Sequence, residues 1–104
     1  MAGINLNNAD TVYTSFASST SPQTFAVENG SRVALMVYNN STANLFLHID
    51  ATATTSNFII KLAAGVLYEM PKGYYTDKVT GVWDAANGSA KVIEVSTRRH
   101  SSSD

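Results

Sequence analysis

Apolar residues in this chain recur at every second position or in short unbroken runs, not at the three-to-four-residue spacing of a helix face. Eight such segments stand out: TVYTSF (11–16), TFAVE (24–28), RVALMVYN (32–39), NLFLHI (44–49), NFIIKL (57–62), VLYEM (66–70), DKVTGVWD (77–84) and AKVIEVST (90–97). Val, Ile, Tyr, Phe and Thr dominate them, which suits half-buried pleated strands. Breakers lie between them: SSTSPQ, ENGS, NNSTA, ATATTS, AAG, PKGYYT and AANGS. The pattern predicts an all-β fold, an antiparallel β-sandwich or barrel of about eight strands, with no room for a crossover helix. One short helical turn fits around Ala85 and Ala86.

Alternation assigns faces to these strands. Leu45, Leu47 and Ile49 share one side of the fourth segment, and Phe58, Ile60 and Leu62 one side of the fifth; both sets are expected in the core. The third segment is apolar on both sides, with Val33, Leu35 and Val37 on one and Ala34, Met36 and Tyr38 on the other. A strand of that kind is either central or turned toward a neighbouring subunit. Asn87-Gly88, and again Asn29-Gly30, read as tight hairpin corners at positive φ. Trp83 is then the bulky anchor of its strand, packed on Ile93 and Val95, and Asp84 caps backbone amides in the turn.

The ends differ from the middle. Residues 1–10 carry only Ile4 and Leu6 as apolar anchors, and residues 98–104 carry none. The expected organisation is an N-terminal arm over 1–10, a sandwich domain over 11–97 and a flexible polar tail over 98–104. Such an arm would order by lying along a neighbouring subunit.

Composition sharpens this picture. Charged residues make up 14% of the 104-residue chain, against roughly 25% in ordinary soluble domains. A surface that poor in charge is either covered by partners or carried by Ser, Thr and Asn. The net charge of −1 gives no electrostatic footprint for nucleic acid or an anionic membrane. No run approaches the roughly 18 apolar residues of a spanning helix, and MAGINLNNAD has no signal-peptide pattern. A soluble protein is expected. With no cysteine there is no thiol nucleophile, disulfide frame or zinc-finger spacing.

Candidate chemistry is sparse. From Asp84 the calcium-loop positions fall on Ala86 and Gly88, so metal-ligand spacing fails. His48 and Asp50 share a side of a strand end but are two ligands only. No nucleophile motif accompanies the histidines, and no Gly-rich phosphate loop is present. The expectation is a non-enzyme with no cofactor and no metal. Tyr68, Tyr74, Tyr75 and Trp83 concentrate aromatic surface, which can anchor an interface or stack on a sugar.

The stretch from RVALMVYNNST through NLFL, NFIIKL and YEMPKGYY to GVWDAANGSAKVIEV resembles small virion structural proteins of tailed bacteriophages. It spans residues 32–95, roughly three-fifths of the chain. The resemblance implies a jelly-roll-like capsid decoration (cement) protein, made in the host cytoplasm and placed on the capsid surface. It implies a homotrimer that bridges major capsid protein subunits. Candidate interface residues are Ile4, Leu6, Ala34, Met36, Tyr38, Tyr74 and Tyr75. The competing reading is a head-fibre or tail-associated module that binds a receptor or glycan through Tyr74, Tyr75 and Trp83.

Overall fold

The computed structural model describes residues 9–71 and 76–97. Eight strands form within them: β1 (Ala9–Ala17), β2 (Gln23–Ala26), β3 (Arg32–Ser41), β4 (Leu45–Ile49), β5 (Ile60–Leu62), β6 (Leu67–Glu69), β7 (Val79–Trp83) and β8 (Gly88–Thr97). Every predicted strand has its counterpart. Residues 84–87, where a helical turn was expected, form bends. The expected arm falls outside the described residues apart from its last two positions, Ala9 and Asp10, which open β1. The expected tail lies wholly outside them.

The strands make two four-stranded antiparallel sheets, ordered β1-β8-β3-β6 and β2-β7-β4-β5. Their pairing is nested: β1 with β8, β2 with β7, β3 with β6 and β4 with β5. The chain is a long hairpin folded at the β4–β5 connection and rolled up, so that β3 also meets β8 and β4 meets β7. This is the jelly-roll form of the β-sandwich.

Rolling corrects the hairpin reading of both Asn-Gly pairs. The Asn29-Gly30 segment leads from β2 to β3 and Asn87-Gly88 from β7 to β8, and in each case the two strands belong to opposite sheets. Neither glycine has positive φ; among the described residues only Gly65 and Asp50 do. Asn29 instead holds its loop by accepting from the Ser31 amide at 3.0 Å through Oδ1. Gly88 is required for space: a Cβ there would lie 2.5 Å from the Cα of Ser41 and 2.6 Å from the Asn40 carbonyl oxygen. Asp84 caps the start of another strand, not the amides of its own turn as expected. Its two carboxylate oxygens accept from the Asn44 amide and side chain at 3.0 Å each, pinning the start of β4.

The core lies between the sheets. Leu35 and Val37 of β3 and Ala90 and Val92 of β8 face Leu45, Leu47, Val79 and Trp83 across it. Trp83 is fully buried and packs edge-on against Phe25 at 5.7 Å. Ile93 and Val95, its expected partners, are on the other side of β8, because Ala90 and Val92 occupy the inward parity. Phe58 is also displaced. Ile59 donates to the Leu47 carbonyl at 2.8 Å while Ile60 is the residue paired with Leu47. This bulge leaves Ile60 and Leu62 inward and turns Phe58 outward onto Phe46, centroids 4.9 Å apart.

Two polar side chains of β3 clamp the sheets at either end of the core. Asn39, fully buried, donates through Nδ2 to the carbonyls of Ala43 (2.8 Å), Leu62 (2.9 Å) and Ala63 (3.1 Å). Its Oδ1 accepts from the Trp83 indole at 3.1 Å and from Ser41 Oγ at 2.7 Å. At the other end a bulge at Val33 turns Arg32 inward. Its Nε donates to Glu94 Oε2 at 2.8 Å, and its terminal nitrogens donate to the Asp77 and Val27 carbonyls at 2.9 and 2.7 Å.

Gly88→Ala should lower stability by about 1–3 kcal/mol because backbone must shift to admit the methyl, whereas Gly30→Ala, with nothing within 4 Å, should change it by less than about 0.5 kcal/mol. Urea unfolding of the two variants checks this, and equal losses would return the turn reading. Asn39→Leu should cost about 2–4 kcal/mol in the same assay, since it strands the Trp83 indole N–H and the facing carbonyls without partners.

Candidate interaction surface

The two sheets treat their outer faces differently. In the second sheet Phe46 of β4 and Val82 of β7 point outward, yet both are buried. The β4–β5 connection, residues 50–59, folds over them and inserts Ala53 to complete a small outer cluster. Thr80 fastens this cover by donating to the Ala51 carbonyl at 2.6 Å and accepting from the Ala53 amide at 2.9 Å. Asp50 opens the connection at φ 64°, a conformation short polar side chains tolerate. Phe58 closes on Phe46 from the side, with the Lys61 ammonium 5.8 Å from the Phe46 ring centre.

The first sheet has no such cover among the described residues. Its register places three rows of side chains on the outer face. Thr11, Val95 and Ala34 form one; Tyr13, Ile93, Met36 and Glu69 the next; Ser15, Lys91, Tyr38 and Leu67 the third. Each of the four strands contributes apolar side chains to this face: Tyr13, Ile93 and Val95, Ala34, Met36 and Tyr38, and Leu67. Tyr13 is 65% exposed, Leu67 52% and Tyr38 36%, while Ala34, Met36, Ile93 and Val95 are half-buried by their neighbours alone. Lys91 and Glu69 supply opposite charges within it. An antiparallel sheet with one solvated face ordinarily alternates apolar inside with polar outside. Here most outer positions are apolar too.

Ala34, Met36 and Tyr38, chosen from the sequence as interface candidates, therefore stand together on one face. Tyr13, Leu67, Ile93 and Val95 join them there and were missed, because only strand order reveals that their segments are neighbours. Ile4, Leu6, Tyr74 and Tyr75 lie outside the described residues. A groove of about 430 Å³ opens at one end of the face, lined by Ala34, Leu35, Met36, Glu69, Met70 and Pro71. Trp83, the third aromatic of the expected glycan site, is inside the core and has no surface on which a sugar ring could stack.

The remaining candidates do not converge. His48 is tied to the adjacent backbone, Nδ1 accepting from the Ile49 amide at 2.9 Å. Among the described residues no three His, Asp or Glu side chains gather as a metal-holding group. No described helix is long and apolar enough to cross a membrane.

No protein-family model matches the chain, and no curated protein sequence matches it. A solved structure from the work titled "Bacillus endospore appendages form a novel family of disulfide-linked pili" is similar, with a TM-score of 0.56 over 88% of each chain at 16% identity. At that identity the likeness is one of fold.

Thr80→Val should cost about 1–2 kcal/mol, the loss of a buried hydroxyl bridging two backbone groups. It should also speed limited proteolysis within residues 50–59. Unchanged cleavage would mean that packing on Phe46 alone holds the cover.

Proposed function

We propose that this chain is a non-enzymatic structural protein of a bacteriophage virion, a decoration protein that seats the outer face of its first sheet on the capsid shell. The observation that carries this reading is the contrast between the two outer faces. One apolar face is sealed by the protein's own β4–β5 connection, and the other is left uncovered by the described residues. Apolar surface removed from water contributes roughly 25 cal/mol per Å², so an open apolar face is a source of association free energy. Tyr13, Tyr38 and Met36 on this face are of the residue types enriched at docking patches.

The resemblance over residues 32–95 supplies the virion context, and the jelly roll is a fold in which many capsid proteins are built. The similar solved structure belongs, by its title, to disulfide-linked pili. This chain holds no cysteine, so the linkage named in that title is not available to it. The docking free energy must come from burial and hydrogen bonding.

The test is co-sedimentation with capsids of the parent phage assembled without this protein. Wild-type protein should pellet with them at near-stoichiometric ratio. The double variant Tyr38→Glu with Leu67→Lys, which alternates charge along the row with Lys91, should stay in the supernatant while its stability changes by less than about 1 kcal/mol, as expected for exposed strand positions. Absence of wild-type binding would sink the decoration reading. Undiminished binding by the double variant would move the contact to another face.

A further inference from the structure

The four edges of the sandwich are not alike. β5 and β6 are three residues long and β2 is four, each too short to template much pairing. β1 runs for nine residues in uninterrupted register with β8. It contains no proline, no lysine and no bulge, the devices that ordinarily protect an edge.

The hydrogen-bond parity of β1 follows from its far end. The Ser18 amide donates to the Gly88 carbonyl at 2.9 Å, so Phe16, Thr14 and Val12 direct their backbone groups toward β8. Thr11, Tyr13, Ser15 and Ala17 direct theirs away. The Ala17 carbonyl is taken by Gln23 Nε2 at 2.8 Å. Between these limits Thr11, Tyr13 and Ser15 present N–H and C=O groups along an edge that pairs with no other described strand. Val12 and Tyr13, on opposite faces of the strand, are 55% and 65% exposed.

We propose that two copies of this chain join through β1, antiparallel about a two-fold axis at Tyr13, into one continuous eight-stranded sheet. A second copy fits because this register is self-complementary. It sets Tyr13 against Tyr13 and Thr11 against Ser15, all residues whose backbone groups point outward, so each donor meets an acceptor. It sets exposed Val12 beside Thr14 of the second copy. The one charged residue of the strand, Asp10, faces Phe16 rather than its own mate. The apolar row Tyr13–Ile93–Met36 then runs on into the second copy. The contact uses the edge of the sheet and is independent of what the outer face meets.

Sedimentation equilibrium of the full-length protein at about 100 µM should give the mass of a dimer. Ser15→Pro should give a monomer with unchanged circular dichroism, since proline is tolerated where an edge N–H faces outward. The register is read by cross-linking single-cysteine variants with diamide, which the cysteine-free chain permits. Paired Tyr13 positions are about 5.5 Å apart between Cα atoms, within the roughly 4.4–6.8 Å a disulfide spans. Thr11 and its mate are four residues out of step, about 14 Å. Tyr13→Cys should therefore cross-link at least tenfold faster than Thr11→Cys. A monomer at that concentration, a trimer as the phage resemblance implies, or equal cross-linking of the two variants would each overturn the pairing.

Discussion

The Asn39 amide is the constraint around which the sandwich is arranged. A fully buried primary amide is tolerated only when its hydrogens and oxygen all find partners, because an unpaired polar group in the core costs about 1–3 kcal/mol. Besides Ser41 on its own strand, Asn39 has partners from four places in the chain: the turn into β4, the end of β5, the residue after it and the indole of Trp83 on β7. Its own strand belongs to the opposite sheet. Satisfying one side chain therefore fixes the spacing of the two sheets and the position of the β5–β6 connection. Trp83 can then be buried whole, its polar nitrogen met from across the core. The Arg32 clamp does the same work at the other end, where Val27 and Asp77 supply carbonyls from the second sheet's loops. Between the clamps the contacts are apolar and non-directional, and could accommodate a slipped register; the hydrogen bonds cannot.

The strands were legible in the sequence because period-two alternation is a local signal, and all eight follow from it. Their order was not. A jelly roll pairs β1 with β8 and β2 with β7, contacts more than 50 residues apart, and no local pattern encodes them. Asn-Gly misled for that reason: the dipeptide marks a reversal, and whether the reversal is a hairpin or an arch between sheets depends on partners elsewhere. Bulges account for the misplaced side chains. One extra residue at Val33 turns Arg32 inward against simple alternation, and one at Ile59 turns Phe58 outward. Asn39 was hidden by its company, since it stands in YNNST, a stretch that reads as a polar turn. Three of the seven apolar residues on the outer face were visible because Ala34, Met36 and Tyr38 share a parity on a strand with two apolar sides. The other members of the face needed the sheet order.

The low charge of the chain takes on a structural meaning here. Ser, Thr and Asn supply much of the polar surface and also fasten the loops: Thr80 under the β4–β5 cover, Ser41 and Asn39 at the sheet junction, and Asn29, which donates to Ser96 at 2.7 Å. Charges are reserved for few positions. Arg32 and Glu94 are spent inside, and Lys91 and Glu69 sit among apolar neighbours on the open face.

The sheets are also unequal in length. Three strands of the first sheet have nine or ten residues, while none in the second exceeds five. The longer sheet must overhang its partner. This explains why Val12, which has the inward parity of Val92 and Glu94, is nonetheless more than half exposed. A sandwich that needed only its own core would have no reason to extend strands beyond the sheet that covers them, because each added residue costs about 1–2 kcal/mol of backbone entropy. The overhang carries the outer edge of β1 and part of the apolar face together. Burying either the edge or the face against another polypeptide would recover association free energy that the overhang leaves exposed to water.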